Sequence, residues 1–405
     1  MKLCPTCGAM DPSGCKNARC PFLVTYSHAA RAEHSKQEYA GQSPNIFIGR
    51  YGYPNVNVGI LSNENVTAEY DAPRLWSKEG YTIPSILSYR TQLINSRVKG
   101  NVKTFSERLK DVAQDVAMAS KPVDVDVKLD RKPTFGITFN REATPFGPAV
   151  GLQSAAVTSN PRVDRHVEAV VSDTDLKATD AVKTLVEKNV DEHALTKLMS
   201  VGLLGTKTKR KMVPTRWAIT AVDDTIGKQV IDDIHDLPRL DECRLHIGSY
   251  LGNHYFVMLI PSEWSYELFE VMLRKTDWND PELNWSTDHE FYAGRKDYAS
   301  DTVGGYYAAR IAVTEKMRSD RIQASAFVIR LVTSDYTHPL GVWVVREATR
   351  KAMESAPKTF ATRQEMLRFV SDHIKRHFNY DCSRIITGSK LLAYLGTQRR
   401  LGDFA

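Results

Sequence analysis

The clearest alternation of apolar and polar residues in the chain is "VDVDVKL", Val123–Leu129. A period of two places every second side chain on one face of a sheet, so this stretch predicts a half-buried strand. The stretches "NIFIG" and "VNVGIL" predict two further strands, separated by a turn, "RYGYP", that contains Gly52 and Pro54. Apolar runs on both sides of "GN" predict a hairpin within residues 244–261, and residues 325–336 predict another strand.

Apolar residues spaced three and four apart predict amphipathic helices elsewhere in the chain. The predicted helices are 105–120, 173–190, 191–203, 304–320, 341–355 and 362–378. The last of them opens on Thr362 and Glu365, which have the spacing of a capping box. The stretch "PTRWAITAVDD", residues 214–224, predicts a buried strand that begins at a proline and ends at two acids. The polar residues 30–42 predict a linker or a short helix.

Strands and helices mix along the whole chain, which indicates an α+β body with a mixed, largely antiparallel sheet. At 405 residues the chain is long enough for two or three domains. We divide the body into an N-terminal part, residues 43–200, and a C-terminal part, residues 201–395. Since the sequence contains no long apolar run and no apolar leader, we expect no transmembrane helix, no secretory signal and no membrane partner.

Four of the six cysteines stand within the first twenty residues, at Cys4, Cys7, Cys15 and Cys20. The first pair forms a C-x2-C knuckle, a spacing that lets both thiolates face one ion. Four thiolates without a fifth ligand fit a closed tetrahedral site, so we predict a structural Zn²⁺ module over residues 1–29. An iron–sulfur cluster and two disulfides are the alternatives that this spacing leaves open.

Charge gives a weaker indication of a nucleic-acid partner. The 54 lysine and arginine residues exceed the 48 aspartate and glutamate residues, for a net charge of +6. The stretch "KTKRK" concentrates four cations without an acid among them: Lys207, Lys209, Arg210 and Lys211. Such a run predicts either a phosphate-contacting surface or a solvated face.

The turn between the first two predicted strands presents an arginine beside two tyrosines, Arg50, Tyr51 and Tyr53. A guanidinium group beside aromatic rings suits a site that holds a phosphate and stacks a base. The alternative is a hairpin whose tyrosines cover the edge of a core. Further candidates for contacts to a nucleic acid or nucleotide are Arg216, Tyr306 and Tyr307.

No familiar motif for nucleotide binding, zinc proteolysis or serine hydrolysis occurs in the chain. The carboxylates that remain as candidates for catalysis are Asp223, Asp224, Asp288 and Glu290. Such groups hold divalent metals in phosphodiester chemistry, but they serve equally as caps, turns and surface ion pairs. A glutamate with the Arg50 turn and with Arg310, on a helix that opens with two glycines, would instead suit a dinucleotide pocket for group transfer.

The last residues, "QRRLGDFA", place Gln398, Leu401 and Phe404 as Q-x-x-L-x-x-F. A three-residue spacing brings Leu401 and Phe404 to one face of a short 3₁₀ turn, from which both can enter a partner's pocket. We therefore interpret residues 398–405 as a flexible peptide motif that folds on binding.

Several stretches in this order resemble the archaeal Nre family: the cysteine cluster, "FIGRYGYPNVNVG", "TPFGP", "DTDLKATDAV", "PTRWAITAVDD", "GGYYAARIAV" and the C-terminal motif. The resemblance covers nearly the whole chain, from Cys4 to Phe404. It implies a cytoplasmic, nucleoid-associated DNA repair protein that binds the sliding clamp PCNA through Gln398, Leu401 and Phe404. The usual clamp motif ends in two aromatic residues, whereas Ala405 makes this one smaller.

Two hypotheses follow for the activity. In the first, the chain is a repair factor that recognises DNA with its body and is tethered to the clamp. In the second it is an enzyme, either a metal-dependent nuclease or an NAD-using transferase similar to ADP-ribosyltransferases. The resemblance implies no established reaction, so the sequence leaves catalysis open.

Overall fold

The computed structural model describes residues 36–134, 137–139, 143–273 and 285–397. The four cysteines predicted to bind zinc and the C-terminal motif lie outside these described residues. The described chain divides into two compact units: residues 36–226 with Thr337–Trp343, and Gly227–Tyr336 with residues 344–397. A separate sheet forms the centre of each unit.

The sheet of the first unit is a closed barrel with the strand order β1-β2-β3-β5-β4. Its strands are β1 Glu38–Ile48, β2 Asn55–Asn63, β3 Ile94–Asn101, β4 Val123–Leu129 and β5 Ala149–Val157. Neighbouring strands pair antiparallel, except β3 and β5, which run parallel. Alternate apolar side chains such as Val56, Val58, Val125 and Val127 are buried, as the period of two predicts.

Short helices complete the first unit. They are α1 Pro73–Lys78, α2 Ile83–Arg90, α3 Glu107–Met118, α4 Arg165–Ser172, α5 Ala178–Glu187, α6 Glu192–Ser200 and the 3₁₀ turns Ala68–Asp71 and Lys207–Lys209. Helix α3 connects β3 to β4, and its Val112 packs against Ile60 of β2 and Ala155 of β5. A longer helix, α7 Thr215–His235, begins in the first unit and ends in the second.

This strand order, with a parallel β3–β5 pair and a helix between β3 and β4, is that of the OB-fold, a five-stranded Greek-key barrel. OB-folds bind oligonucleotides or oligosaccharides on the outer face of strands 2 and 3 and in the loops beside it. The corresponding loop in this chain is the turn between β1 and β2, residues 49–54. A fold alone does not assign a function, so any role of this surface depends on the side chains that it presents.

The second unit contains a six-stranded sheet with the order β11-β6-β7-β10-β8-β9. Its strands are β6 Cys243–Tyr250, β7 Asn253–Ile260, β8 Ser265–Met272, β9 Trp285–Glu290, β10 Ser325–Val332 and β11 Lys358–Phe360. Its helices are α8 Gly304–Asp320, α9 Trp343–Glu354, α10 Arg363–Phe378, α11 Ser383–Gly388 and α12 Lys390–Thr397. The pairs are antiparallel except for β8 with β10. One face of this sheet packs against α10, α11 and α12 through residues such as Phe256, Phe327 and Ile374.

A buried glutamate fixes the start of α12 to this sheet. The carboxylate of Glu267 on β8 accepts hydrogen bonds from the backbone N–H groups of Lys390 and Leu391, both at 3.1 Å, and from the Ser389 hydroxyl. Burial raises the pKa of Glu267 above its ordinary value. Since Leu391 and Leu392 also enter the core, α12 is held at its N-terminus by both polar and apolar contacts.

The predicted α+β class with largely antiparallel pairing is confirmed for the part of the chain that the structure describes. The strand at Val123–Leu129, the two strands around the "RYGYP" turn and the β6–β7 hairpin are present as predicted. The capping box of α10 is confirmed by reciprocal hydrogen bonds between Thr362 and Glu365. None of the described helices is both long and apolar enough to cross a membrane.

Two of the predictions are wrong. Residues 214–224 belong to α7 and not to a strand, because Ala218, Val222 and Ile226 are buried at a spacing of four, the period of a helix. The proline at position 214 precedes the helix instead of entering a strand. Residues 38–42, predicted within a linker or short helix, form the first half of β1 and pair with Asp124–Lys128 of β4.

Candidate nucleic-acid interface

The turn between β1 and β2 projects its aromatic side chains into solvent. Backbone hydrogen bonds from Tyr53 to Arg50, at 3.2 Å, and from Asn55 to Gly52, at 2.8 Å, close the turn on itself. Gly52 has a φ of +82°, a conformation that glycine adopts without strain. Tyr51, at the tip of this turn, is 80% exposed.

The only charged residue of this turn lies against its most exposed ring. The guanidinium carbon of Arg50 stands 5.1 Å from the centroid of the Tyr51 ring, a cation–π geometry. The guanidinium group covers one face of the ring, and the high exposure of Tyr51 shows that the rest of the ring is accessible. The pair therefore offers a positive charge and a stacking surface side by side.

The first turn of α7 adds a tryptophan to the same place. The backbone N–H of Ile48, at the end of β1, donates to the Thr215 hydroxyl at 2.9 Å, which holds α7 to the turn. The ring of Trp217 packs against the ring of Tyr53 with 5.0 Å between centroids. Both rings remain partly exposed, Tyr53 at 41% and Trp217 at 43%. We call Arg50, Tyr51, Tyr53 and Trp217 the aromatic rim.

Two cations lie on the outer surface of β3. Arg97 and Lys99 are exposed and, being two residues apart, point to the same side of the strand. They pair with Gly59 and Asn57 of β2, so this side of both strands carries no bulky apolar residue at these positions. We call Arg97 and Lys99 the basic face.

The "KTKRK" stretch joins the barrel beside this surface but divides into two kinds of residue. Arg210 is structural, since its guanidinium donates to the carbonyl groups of Gly205, Val171 and Asp173 at 2.8, 2.8 and 2.9 Å. The three lysines of the stretch, Lys207, Lys209 and Lys211, are exposed. The segment then reaches the barrel through the Met212 N–H, which donates to the Val102 carbonyl at 3.2 Å.

Val102 links this segment to the aromatic rim, because its own N–H donates to the Pro54 carbonyl at 3.0 Å. The edge of the barrel therefore carries three of the predicted nucleic-acid contacts, Arg50, Tyr51 and Tyr53. Lys211 precedes Met212 and so joins this edge through the two backbone hydrogen bonds of Val102. Arg216 lies next to Trp217 in the first turn of α7.

Tyr306, Tyr307 and Arg310 occupy a different environment in the second unit. All three are buried, and the Arg310 guanidinium lies 5.6 Å from the Tyr306 ring centroid and 5.4 Å from that of Tyr307. Burial raises the pKa of the Tyr306 phenol well above its ordinary value. Their proposed contact with a nucleotide stays a prediction.

The candidate carboxylates of the second unit have protein donors. Glu290 forms an ion pair with Arg310 at 2.8 Å and accepts a hydrogen bond from the Trp264 indole at 3.3 Å. Asp288 accepts bonds from the backbone and hydroxyl of Thr302, both at 2.8 Å, and pairs with Arg295 at 3.0 Å. These contacts give both acids a structural role.

The other two acids, Asp223 and Asp224, lie on α7 in the first unit, where Asp223 is buried. Within the described ranges, no group of three or more histidine, cysteine, aspartate or glutamate side chains is placed to hold a metal ion. A catalytic role for the four acids therefore stays a prediction.

Trp217, Arg97 and Lys99 belong to this surface but were not among the sequence-based candidates. Trp217 was missed because its stretch was interpreted as a strand. The apolar residues Ala218, Val222 and Ile226, which are four apart and buried in α7, were the signal for a helix. Arg97 and Lys99 carried no local signal, since only the pairing of β3 with β2 places them beside the turn.

Comparisons with known families match most of the chain. The family model described as archaeal Nre, N-terminal, matches residues 15–279, and that described as archaeal Nre, C-terminal, matches residues 290–404. The DNA repair protein NreB of Archaeoglobus fulgidus is 35% identical over 395 residues, which cover 96% of this chain and 97% of that protein. The DNA repair protein NreA of Haloferax volcanii is 35% identical over 348 residues, 83% of each chain. No solved structure matches the chain.

Proposed function

Because the chain belongs to the archaeal Nre family, we propose that it is a DNA repair protein whose barrel binds DNA. The names of its relatives support the repair role. The observation that supports DNA contact is the aromatic rim at the edge of an OB-type barrel, next to the basic face.

The physical basis of this proposal is phosphate neutralisation combined with stacking. Lysine and arginine side chains that contact phosphates release condensed counterions, so affinity falls as the salt concentration rises. Arg97 and Lys99 are exposed on the outer side of β3, the surface on which OB-folds bind oligonucleotides. Arg50 adds a third cation at the turn.

The direct test measures fluorescence anisotropy of labelled DNA with the full chain over a series of salt concentrations. We expect Arg97→Gln with Lys99→Gln to weaken binding and to reduce the salt slope by about 0.7 to 0.9 for each phosphate that these two cations neutralise. Lys375→Gln with Arg376→Gln is the matched control, because it removes two exposed cations from α10 in the second unit. Equal losses from both double variants would argue against binding at the barrel.

We also propose that Gln398, Leu401 and Phe404 bind the sliding clamp PCNA. The spacing of the motif and the family resemblance support this proposal, and tethering to the clamp would raise the local concentration of the barrel at DNA. Deletion of residues 398–405, or Phe404→Ala alone, should abolish clamp binding in a pull-down or surface plasmon resonance measurement. The truncated chain should bind free DNA as tightly as the full chain does, and unchanged clamp binding would contradict the proposal.

The N-terminal cysteines carry a further proposal, a structural Zn²⁺ site formed by Cys4, Cys7, Cys15 and Cys20. Four thiolates are the donor set of closed zinc sites, and the ion would supply the folding free energy of a module too small for its own core. Elemental analysis of the purified chain should find about one zinc per chain, and Cys4→Ser with Cys7→Ser should lose it. Finding iron in place of zinc would favour a cluster.

A further inference from the structure

We propose that the barrel binds single-stranded DNA in preference to duplex, with unpaired bases stacked on the aromatic rim and the phosphates along the basic face. This inference rests on the proposed function and adds its substrate class. The side chains that support it all belong to the first unit.

The exposed ring of Tyr51 offers the first stacking surface. A tyrosine that is 80% exposed gains nothing from packing inside the protein, yet the closed turn and the Arg50 guanidinium hold it in a defined position. A base that stacks on this ring gains about 1–3 kcal/mol, and it can do so whatever its sequence. The neighbouring Arg50 is placed to pair with the phosphate of the same nucleotide.

Tyr53 and Trp217 form a second stacking surface. Their ring centroids are 5.0 Å apart, so each ring limits the motion of the other. Less conformational freedom of these side chains is therefore lost when a base stacks on them. About two-fifths of each side chain remains open to solvent. The rim therefore offers places for more than one base.

The aromatic rim leads into the basic face through polar residues of β2 and β3. The turn leads directly into Asn55 of β2, which accepts a hydrogen bond at 3.1 Å from the side-chain amide of Asn101 on β3. Lys99 and Arg97 follow on the same side of β3 at intervals of about 7 Å. A single DNA strand that leaves the aromatic rim can thus continue over a polar surface that carries cations at regular spacing.

A DNA duplex would leave the stacking surfaces of the aromatic rim unused. In a duplex the faces of the bases are stacked on one another, and proteins reach only base edges and the backbone. A duplex could meet the lysines and arginines, but it would leave the rings of Tyr51, Tyr53 and Trp217 without a stacking partner unless bases were unstacked, which costs a few kcal/mol. The aromatic rim therefore favours a strand whose bases are already unpaired.

The test compares one labelled oligonucleotide of about 15 residues, alone and annealed to its complement, by fluorescence anisotropy with the full chain. We expect the single strand to bind at least about tenfold more tightly than the duplex. Tyr51→Ala with Tyr53→Ala should lower the affinity for the strand by about tenfold or more and leave the affinity for the duplex within about twofold. Tyr292→Ala is the matched control, because this tyrosine of the second unit is 42% exposed, close to the 41% of Tyr53.

A second readout locates the contact. Addition of the single strand should quench the tryptophan fluorescence of the chain, and Trp217→Phe should remove most of the quenching while the far-ultraviolet circular dichroism spectrum stays unchanged.

Equal affinity for both DNA forms, or a preference for duplex, with no effect of the tyrosine substitutions, would overturn the inference and leave the DNA-binding proposal standing. Binding to neither form would overturn the DNA-binding proposal as well.

Discussion

Each unit of the molecule contains a cluster in which arginine lies over tyrosine, and the two clusters differ in burial. On the barrel, Arg50 stands 5.1 Å from the ring of Tyr51, which is largely exposed. In the second unit, Arg310 stands 5.6 Å from the ring of Tyr306, which is completely buried. Similar residues at similar distances thus occur in opposite environments.

The difference shows how a cation–aromatic pair is assigned to structure or to binding. A buried guanidinium needs a paired charge, and Arg310 has the carboxylate of Glu290 at 2.8 Å. A guanidinium that is only partly buried, such as that of Arg50, remains hydrated and can exchange water for a phosphate. The exposed cluster can therefore bind a ligand without giving up an interaction that holds the fold, whereas the buried cluster cannot.

The largest effect is expected from breaking the buried pair. Glu290→Ala would leave the Arg310 charge without this carboxylate and should lower the free energy of unfolding by about 3–5 kcal/mol. Arg50→Gln, which changes the exposed cluster, should alter the same quantity by less than about 0.5 kcal/mol. Urea unfolding followed by tryptophan fluorescence measures both, and equal losses would remove the distinction between the two clusters.

A smaller effect is expected at Glu267, a buried carboxylate that is satisfied by N–H and O–H donors instead of an arginine. Because burial raises the pKa of Glu267, its protonated form is favoured in the folded state, and this stabilisation is lost as the pH rises through the folded pKa. Unfolding midpoints measured between about pH 4 and pH 7 should therefore fall more steeply for the natural chain than for Glu267→Gln. Parallel pH profiles would show that Glu267 titrates alike in both states.

The smallest effect is expected from the exposed lysines of the "KTKRK" stretch. Lys207→Gln with Lys209→Gln should leave stability unchanged and should lower the salt slope of single-strand binding by about 0.7 for each lysine that contacts a phosphate. Arg210→Gln should lower stability and leave the salt slope unchanged, because the Arg210 guanidinium donates to three backbone carbonyl groups. Loss of binding without loss of stability in the Arg210 variant would contradict this division.

Much of the local structure could be predicted from the sequence. Strict alternation identified β4, the capping box identified the start of α10, and the turn residues identified the β1–β2 connection that carries the aromatic rim. These features depend on residues that are close in sequence, so their physical causes are present in short stretches.

The barrel itself could not be predicted, because its closure depends on pairing between distant residues such as Glu38 with Lys128 and Arg97 with Gly151. The basic face follows from that pairing and so was not predictable either. The strand prediction for residues 214–224 failed because two acids were taken as its end, although Asp223 is a buried residue in the middle of a long helix.

The anchoring of α12 has a consequence for distance. Leu401 lies only four residues beyond Thr397, and four fully extended residues span at most about 14 Å. If the clamp binds this motif as proposed, the linker between α12 and the motif is very short. The second unit can then move only a short distance relative to the clamp. Such a short linker would hold the protein at a defined position beside the clamp and limit the length of DNA that it can reach.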